Sequence, residues 1–228
     1  MRYVYYPGCS LEGTALEYNV STRAAMSALG AELLELEDWT CCGASAAEAT
    51  SYLLSLVLAG RNLALAEKME AGADFLIPCS ACYLNLSKTD HYMAENQELN
   101  HKVNQALAAG DLHYDPGSVK VRHLLDVIYN DVGLDKIRAK VVRPLKGLRV
   151  AAYYGCMILR PDYNGYFKDP EYPTELDDIT RALGAEVIDF PLKTHCCSGH
   201  MTLISPEVAY ELIRRLIHRT ADYKPHLP

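Results

Sequence analysis

The eight cysteines of this 228-residue chain fall into small groups. Cys9 stands alone, Cys41 and Cys42 are adjacent and run into Gly43, and Cys79 and Cys82 make a Cys-x-x-Cys pair. The intervals are 31 residues from Cys9 to Cys41 and 36 from Cys42 to Cys79. A lone Cys-x-x-Cys is weak evidence, open to zinc, a redox dithiol or a corner of an iron–sulfur cluster. A closed zinc site takes four ligands, whereas this half of the chain offers five thiols. Adjacent thiolates must diverge around one tetrahedral ion, but they can bind different metals of a cluster with several irons. Ordinary four-iron clusters use four cysteines, so five point to an unusual geometry. A single buried cysteine is usually a small hydrophobe, which is a poor account of eight in repeated groups.

The elements that must position these thiols are legible from apolar runs and breakers. Residues 3–6 are aromatic and β-branched and stop at Pro7-Gly8, which predicts a buried strand ending just before Cys9. Residues 16–29 predict a helix with Val20, Ala24 and Ala28 on its inner face. Residues 32–36 predict a second strand, with Cys41 and Cys42 in the loop after it. Residues 46–71 follow as helix, with Leu54, Leu58, Leu65 and Met69 as a stripe facing the core or another subunit, with Gly60 as the place to break it. Residues 75–77 predict a third strand, and a helix is expected from Tyr83. This βαβαβ alternation implies parallel strands. Their C-terminal ends share one sheet edge, where ligand sites form, so distant cysteines can converge there. Helices starting after the loops turn positive N-terminal ends toward anionic thiolates. Further on, Asp115-Pro116-Gly117 signals a turn, residues 121–129 read as a short amphipathic helix, and residues 144–147 read as a boundary.

From Arg149 the pattern begins again. Residues 150–156 echo residues 4–9, each ending in Gly-Cys, and the pentapeptide Ala28-Leu29-Gly30-Ala31-Glu32 recurs unchanged as Ala182-Leu183-Gly184-Ala185-Glu186. A strand is expected over residues 187–190, and then comes Cys196-Cys197, with 39 residues between Cys156 and Cys196. Counterparts of Cys79 and Cys82 at the same offset would fall at 234 and 237, beyond Pro228. The expected fold class is therefore α/β, with two pseudo-repeated βαβ-type, Rossmann-like domains. The first covers 1–145 with its connecting segment. The second covers 146–228, is truncated, and lacks its terminal Cys-x-x-Cys.

The net charge of −7, from 22 basic and 29 acidic residues, argues against a general nucleic-acid binder. No run reads as a signal peptide or a membrane span, so a soluble, cytoplasmic protein is expected. In a reducing compartment, cysteines serve as ligands or redox groups more readily than as structural disulfides.

The pattern of Cys9, Cys41-Cys42-Gly43, Cys79 and Cys82 resembles the cysteine-rich CCG domain of the B-type subunits of heterodisulfide reductase. The resemblance extends through the duplication over nearly the whole chain. It implies one component of an oxidoreductase that acts on sulfur groups. In the family each complete motif holds a noncubane [4Fe-4S] cluster, and the two clusters face a disulfide substrate. Electrons arrive from a C-type iron–sulfur subunit, which draws them in turn from an A-type, flavin-containing subunit. By position, Cys9, Cys41, Cys42, Cys79 and Cys82 resemble one full ligand set; Cys156, Cys196 and Cys197 resemble part of another. The competing readings are a non-catalytic electron-transfer or docking subunit with a single cluster, and a structural zinc protein.

Other residues carry weaker signals. His195 adjoins Cys196 and is the candidate proton donor to a departing thiolate, although a loop histidine with ordinary hydrogen bonds is the commoner case. Lys193 is expected to be solvated, as is the helix face of Arg214, Arg215 and Arg219. Tyr5, Tyr6, Tyr153 and Tyr154 are expected to fill the strand layers.

Overall fold

The structure is a computed structural model that describes every residue except Ser45, Ala71, Ala73, Leu203, Leu227 and Pro228, and every described side chain except that of Ala46. The chain divides into two compact units, Met1–Val127 and Ile128–Pro228. The repeat itself restarts later, at Arg149.

The first unit is built on a four-stranded, all-parallel sheet of order β2-β1-β3-β4, comprising β1 (Arg2–Tyr5), β2 (Glu32–Glu35), β3 (Asp74–Ile77) and β4 (Lys120–His123). The inner strands are buried on both faces, as parallel strands are: Val4, Tyr5, Phe75, Leu76 and Ile77 are wholly inaccessible. Each such side chain contributes about 1.5–3 kcal/mol, against about 0.3–0.5 kcal/mol for an exposed helix ion pair such as Arg138 with Asp135. Strand burial therefore fixes where the cysteine loops sit. The flanking strand β2 carries Glu32 and Glu35 at its ends, charges that discourage further pairing at an edge.

The helices are α1 (Gly8–Glu12), α2 (Leu16–Ala28), α3 (Ala46–Thr50), α4 (Tyr52–Met69), α5 (Ser80–Glu95) and α6 (Gln97–Leu107). Several details differ from the sequence expectation. Helix α2 buries Asn19, Thr22 and Met26, whereas Val20, Ala24 and Ala28 are exposed. A weakly amphipathic stretch let small residues mark the wrong side. The break in the long helix falls at Ser51, whose hydroxyl caps α4 by accepting from the Leu54 N–H at 3.3 Å, and Gly60 lies inside α4. The predicted last residue of that helix, Ala71, lies outside the described residues. Leu56, Ala59, Gly60, Leu63 and Ala66 form the buried face of α4, while Leu54 and Met69 are exposed and Leu58 and Leu65 half-buried. Gly60 is where α6 comes close: a Cβ there would meet Val103 at 3.1 Å.

The expected helix over 121–129 is instead β4, followed by α7 (Leu124–Asp126) and a π-turn segment, Val127–Val132. Buried Arg122 pairs with Asp74 of β3 at 3.0 Å and with Asp126. That tertiary pairing allows a charged residue in a buried strand, which sequence spacing does not reveal.

The second unit carries α8 (Leu134–Lys140), a two-stranded parallel sheet of β5 (Arg149–Ala151) and β6 (Glu186–Ile188), α9 (Glu175–Ala182) and α10 (Pro206–Asp222). Its core gathers Ala151, Ile188 and Phe190, with Leu192 and Leu216 against them. The recurring pentapeptide does the same work twice. After α2 the Gly30 N–H bonds Ser27 O and the Ala31 N–H bonds Met26 O; after α9 the Gly184 N–H bonds Arg181 O and the Ala185 N–H bonds Thr180 O. Both glycines have positive φ, +73° and +93°. This left-handed helix stop leads directly into the next strand.

Candidate metal centre

Each cysteine group of the first unit follows a strand end. Cys9 lies in the first turn of α1, just past β1, where Gly8 adopts φ +71°. A Cβ on Gly8 would stand 3.0 Å from Cys82 Sγ, so glycine is required for the two loops to meet. Cys41 and Cys42 occupy the loop after β2. Cys79 is the N-cap of α5, and that helix begins at Ser80, earlier than expected, so Cys82 rides on its first turn.

These distant groups converge. Cys9 Sγ lies 3.8 Å from Cys41 Sγ, and Cys42 Sγ lies 3.2 Å from Cys82 Sγ. No disulfide joins any of the five; Cys42 and Cys82 are buried, Cys79 is half-buried, and Cys9 and Cys41 reach solvent. Hydrogen bonds with Cys41 and Cys82, together with the Ala44 N–H, pull the Cys42 thiol down to about 3 against the opposing effect of burial. Hydrogen bonding from Cys82, then the N–H groups of Cys82 and Ala81 at the start of α5, bring Cys79 down to about 6. Cys41 and Cys82 are pushed up: each hydrogen-bonds a neighbouring thiol that holds the negative charge. The network thus favours the thiolate at Cys42 and Cys79 and the protonated thiol at Cys41 and Cys82, so filling the site with cations would release protons.

A second layer of polar residues, missed by sequence reasoning, holds the loops. Asn62 of α4 accepts from the Thr40 N–H and donates to Thr40 O, both at 2.9 Å. Asn85 of α5 donates to Cys42 O at 2.5 Å. The Tyr6 hydroxyl donates to Thr40 O at 2.8 Å. The Tyr18 hydroxyl reaches Pro78 O at 3.4 Å, and buried His123 contacts the same oxygen at 3.1 Å. The available signal was an asparagine set into each apolar helix face, at Asn62 between buried Ala59 and Ala66 and at Asn85 beside buried Leu86.

The second unit brings Cys156, Cys196 and Cys197 together. Cys156 is pushed up to about 11, by burial first and then by its hydrogen bond with Cys196. The Ser198 N–H donates to Cys196 Sγ at 3.3 Å and the Gly199 N–H to Cys197 Sγ at 3.4 Å. A cleft of about 570 Å³ runs beside these thiols, lined by Cys156, Cys196, Arg160, Tyr172, Lys193 and His195. The His195 side chain is exposed at this cleft, and its backbone oxygen accepts from the Tyr153 hydroxyl at 2.6 Å. Lys193, expected in solvent, is buried and paired with Asp177 at 3.3 Å. Tyr154 fills the interior as expected, donating to Asp177 at 2.7 Å, whereas Tyr153 is 39% exposed.

Among the described residues, no three His, Cys, Asp or Glu side chains are arranged around a single metal ion. The five-thiol set nevertheless suits a group with several metals. It offers more sulfur donors than one tetrahedral ion takes, one pair of them adjacent in sequence, with Cys42 and Cys79 favoured as thiolates.

The model of the CCG cysteine-rich domain matches this chain twice, at residues 3–87 and 150–226. The chain is 35% identical over 224 residues to the 8-methylmenaquinol:fumarate reductase membrane anchor subunit of Wolinella succinogenes, covering 98% of this chain and 76% of that protein. It is 34% identical over 218 residues to a protein of Archaeoglobus profundus described as like the B subunit of heterodisulfide reductase, covering 94% and 72%. It is 27% identical over 217 residues to the B subunit of the ferredoxin/F(420)H(2)-dependent CoB-CoM heterodisulfide reductase of Methanosarcina acetivorans, covering 95% and 71%. The crystal structure of a hypothetical protein from Helicobacter pylori superimposes with a TM-score of 0.67 at 13% identity. That match spans 95% of this chain and 38% of the other, and it speaks to the fold alone.

Proposed function

This chain belongs to the CCG cysteine-rich domain proteins of the heterodisulfide reductase B-subunit family, and we propose that it works as the B-type component of a heterodisulfide reductase-like complex. The observation that carries this reading is the convergence of Cys9, Cys41, Cys42, Cys79 and Cys82 from three strand ends. These five thiols would hold a noncubane [4Fe-4S] cluster. When bound, such a cluster supplies one-electron chemistry at a disulfide or thiol sulfur. Cys156, Cys196 and Cys197 form the partial second site, and the cleft beside them admits the thiol or disulfide. His195, exposed at that cleft, stands where it can hand a proton to a departing thiolate. A C-type iron–sulfur protein and an A-type flavin-bearing protein would supply the electrons. The eight free thiols suit the reducing cytoplasm, and no helix among the described residues is long and apolar enough to cross a membrane.

Anaerobic purification followed by iron, sulfide and zinc analysis tests the proposal. The expected result is about four irons and four sulfides per filled site, with a paramagnetic signal lost in Cys42→Ala. Stoichiometric zinc without sulfide would overturn it.

A second reading is favoured by the fumarate reductase relative, whose name assigns it to anchoring in a menaquinol-dependent complex. On that reading the chain relays electrons or docks a partner, with a cluster in the first unit only. Cys156→Ala separates the two. Loss of disulfide turnover in the reconstituted complex supports chemistry involving both units; unchanged turnover supports relay.

A further inference from the structure

Each unit contains, within itself, a contact that neither the cysteine pattern nor the family match describes. In the first, Tyr6 stands three residues before Cys9, and its hydroxyl donates to the backbone oxygen of Thr40, the residue just before Cys41-Cys42. In the second, Tyr153 stands three residues before Cys156, and its hydroxyl donates at 2.6 Å to the backbone oxygen of His195, the residue just before Cys196-Cys197.

The surroundings repeat as well. Gly8 and Gly155, each preceding its cysteine, have φ +71° and +72°. A Cβ built on either would meet Cε1 of the respective tyrosine at 3.6 Å and Cζ at 3.7 Å. In both loops an amide two residues on reaches the first sulfur of the pair: Gly43 N–H to Cys41 Sγ at 3.5 Å, and Ser198 N–H to Cys196 Sγ at 3.3 Å. Ser198 adopts left-handed φ, +55°, where the first loop has Gly43 at +78°. A non-glycine residue holding that conformation shows that the loop shape is kept even at some backbone cost.

We propose that Tyr6 and Tyr153 are equivalent positioning residues, each tying the loop of the first cysteine to the loop of the Cys-Cys pair and so setting the spacing of three sulfurs. The inference deepens the proposed function, because it rests on those sulfurs being the ones that hold the cluster.

Both hydroxyls act through a backbone oxygen, and that of Tyr153 also hydrogen-bonds Cys197, so tyrosine-to-phenylalanine isolates the hydroxyl and Cys196 is the sulfur that reports on the tether alone. In the first unit Thr40 O keeps its second donor, Asn62, so Tyr6→Phe leaves no orphaned acceptor. In the second unit the ring is already part-exposed, so Tyr153→Phe should fold even if Tyr6→Phe does not. The experiment uses the full chain, purified anaerobically, in two arms. In the reduced, metal-free chain, alkylation by iodoacetamide is followed per cysteine by mass spectrometry. Tyr153→Phe is expected to raise the rate at Cys196 roughly three- to tenfold, as loss of about 1 kcal/mol of tethering would, with a melting temperature close to wild type; Cys197 loses a direct hydrogen bond in this variant and is not used as the readout. Tyr210→Phe, exposed on α10, serves as the control and changes neither. In the second arm, after iron and sulfide reconstitution, Tyr6→Phe is expected to shift or broaden the paramagnetic signal at unchanged iron content.

A Cys196 alkylation rate indistinguishable from wild type in Tyr153→Phe, or a superimposable spectrum in Tyr6→Phe, would each overturn the tether. A chain that takes up no iron would sink the proposed function instead, while the alkylation arm still decides the tether.

Discussion

At the scale of single residues, the site runs on shared protons between thiols. Cys79 is lowered to about 6 by its hydrogen bond with Cys82 and by two amides of α5 that point at it. In the reduced, metal-free chain, its alkylation rate should therefore rise as the pH passes about 6. Replacing its main hydrogen-bond partner, Cys82→Ala, should move that midpoint upward toward the ordinary thiol range. Site-resolved alkylation across pH 5 to 9 reads both, and an unmoved midpoint would mean the amides alone hold the thiolate. Gly8 is the other residue with a sharp requirement. Its positive φ and its 3.0 Å clearance from Cys82 Sγ mean that Gly8→Ala both strains the backbone and displaces a sulfur. Iron uptake should fall in that variant while the fold persists, measurable as iron per chain against circular dichroism.

At the scale of elements, helices α4 and α5 do more than cover the sheet. Each sends one asparagine from its buried face to a backbone group of the Cys41-Cys42 loop. Asn62 satisfies both the N–H and the O of Thr40, so Asn62→Ala leaves the N–H without that partner. Because Thr40 is only half-buried, the cost should be roughly 1 kcal/mol, seen as a lowered denaturation midpoint, with a looser loop. Asn62→Asp keeps the acceptor for the Thr40 N–H but loses the donor to Thr40 O, so it should recover only part of the loss. Full recovery would mean that the N–H contact alone matters. These contacts were not legible in the sequence, because an asparagine in an apolar helix face looks like a defect until its partner is known. The same limit explains β4. Val121, Leu124, Leu125 and Ile128 fit helical spacing, yet the first part of that stretch is strand β4, where buried Arg122 is paired with Asp74, 48 residues away.

At the scale of the molecule, buried His123 ties the first unit's stability to pH. It contacts Pro78 O through Nε2 and accepts the Leu125 N–H at Nδ1, an arrangement that suits the neutral ring. Burial lowers its pKa from 6.5 to about 4, against a weaker opposing hydrogen bond to Pro78. Between those values the unfolded chain binds the proton and the folded chain does not, so stability falls as pH drops from 6.5 toward 4. The loss should approach about 3 kcal/mol at the lower end. Trp39, the single tryptophan, packs edge-on against Tyr6 and reports on this unit by fluorescence. Denaturation followed at Trp39 should show this slope in the parent chain and a flatter one in His123→Gln. Equal slopes would assign the pH dependence to other groups.

The sequence by itself located the thiol groups and the repeat. Thiol donors announce themselves by residue type, and Cys9, Cys41-Cys42, Cys79 and Cys82 stand at strand ends that apolar runs and Pro-Gly breakers mark locally. The identical pentapeptides at residues 28 and 182 likewise encode the same helix stop, closed by bonds from Gly30, Ala31, Gly184 and Ala185 to carbonyls of the helix just ended. Only the tertiary structure decided which faces are buried and which sulfurs touch. The inner side of α2, the pairing of Arg122, the burial of Lys193 on Asp177 and the tethers from Tyr6 and Tyr153 all depend on groups far apart in the chain. A polar side chain's cost or use is set by the partner that folding brings to it, and spacing along one segment carries no record of that partner.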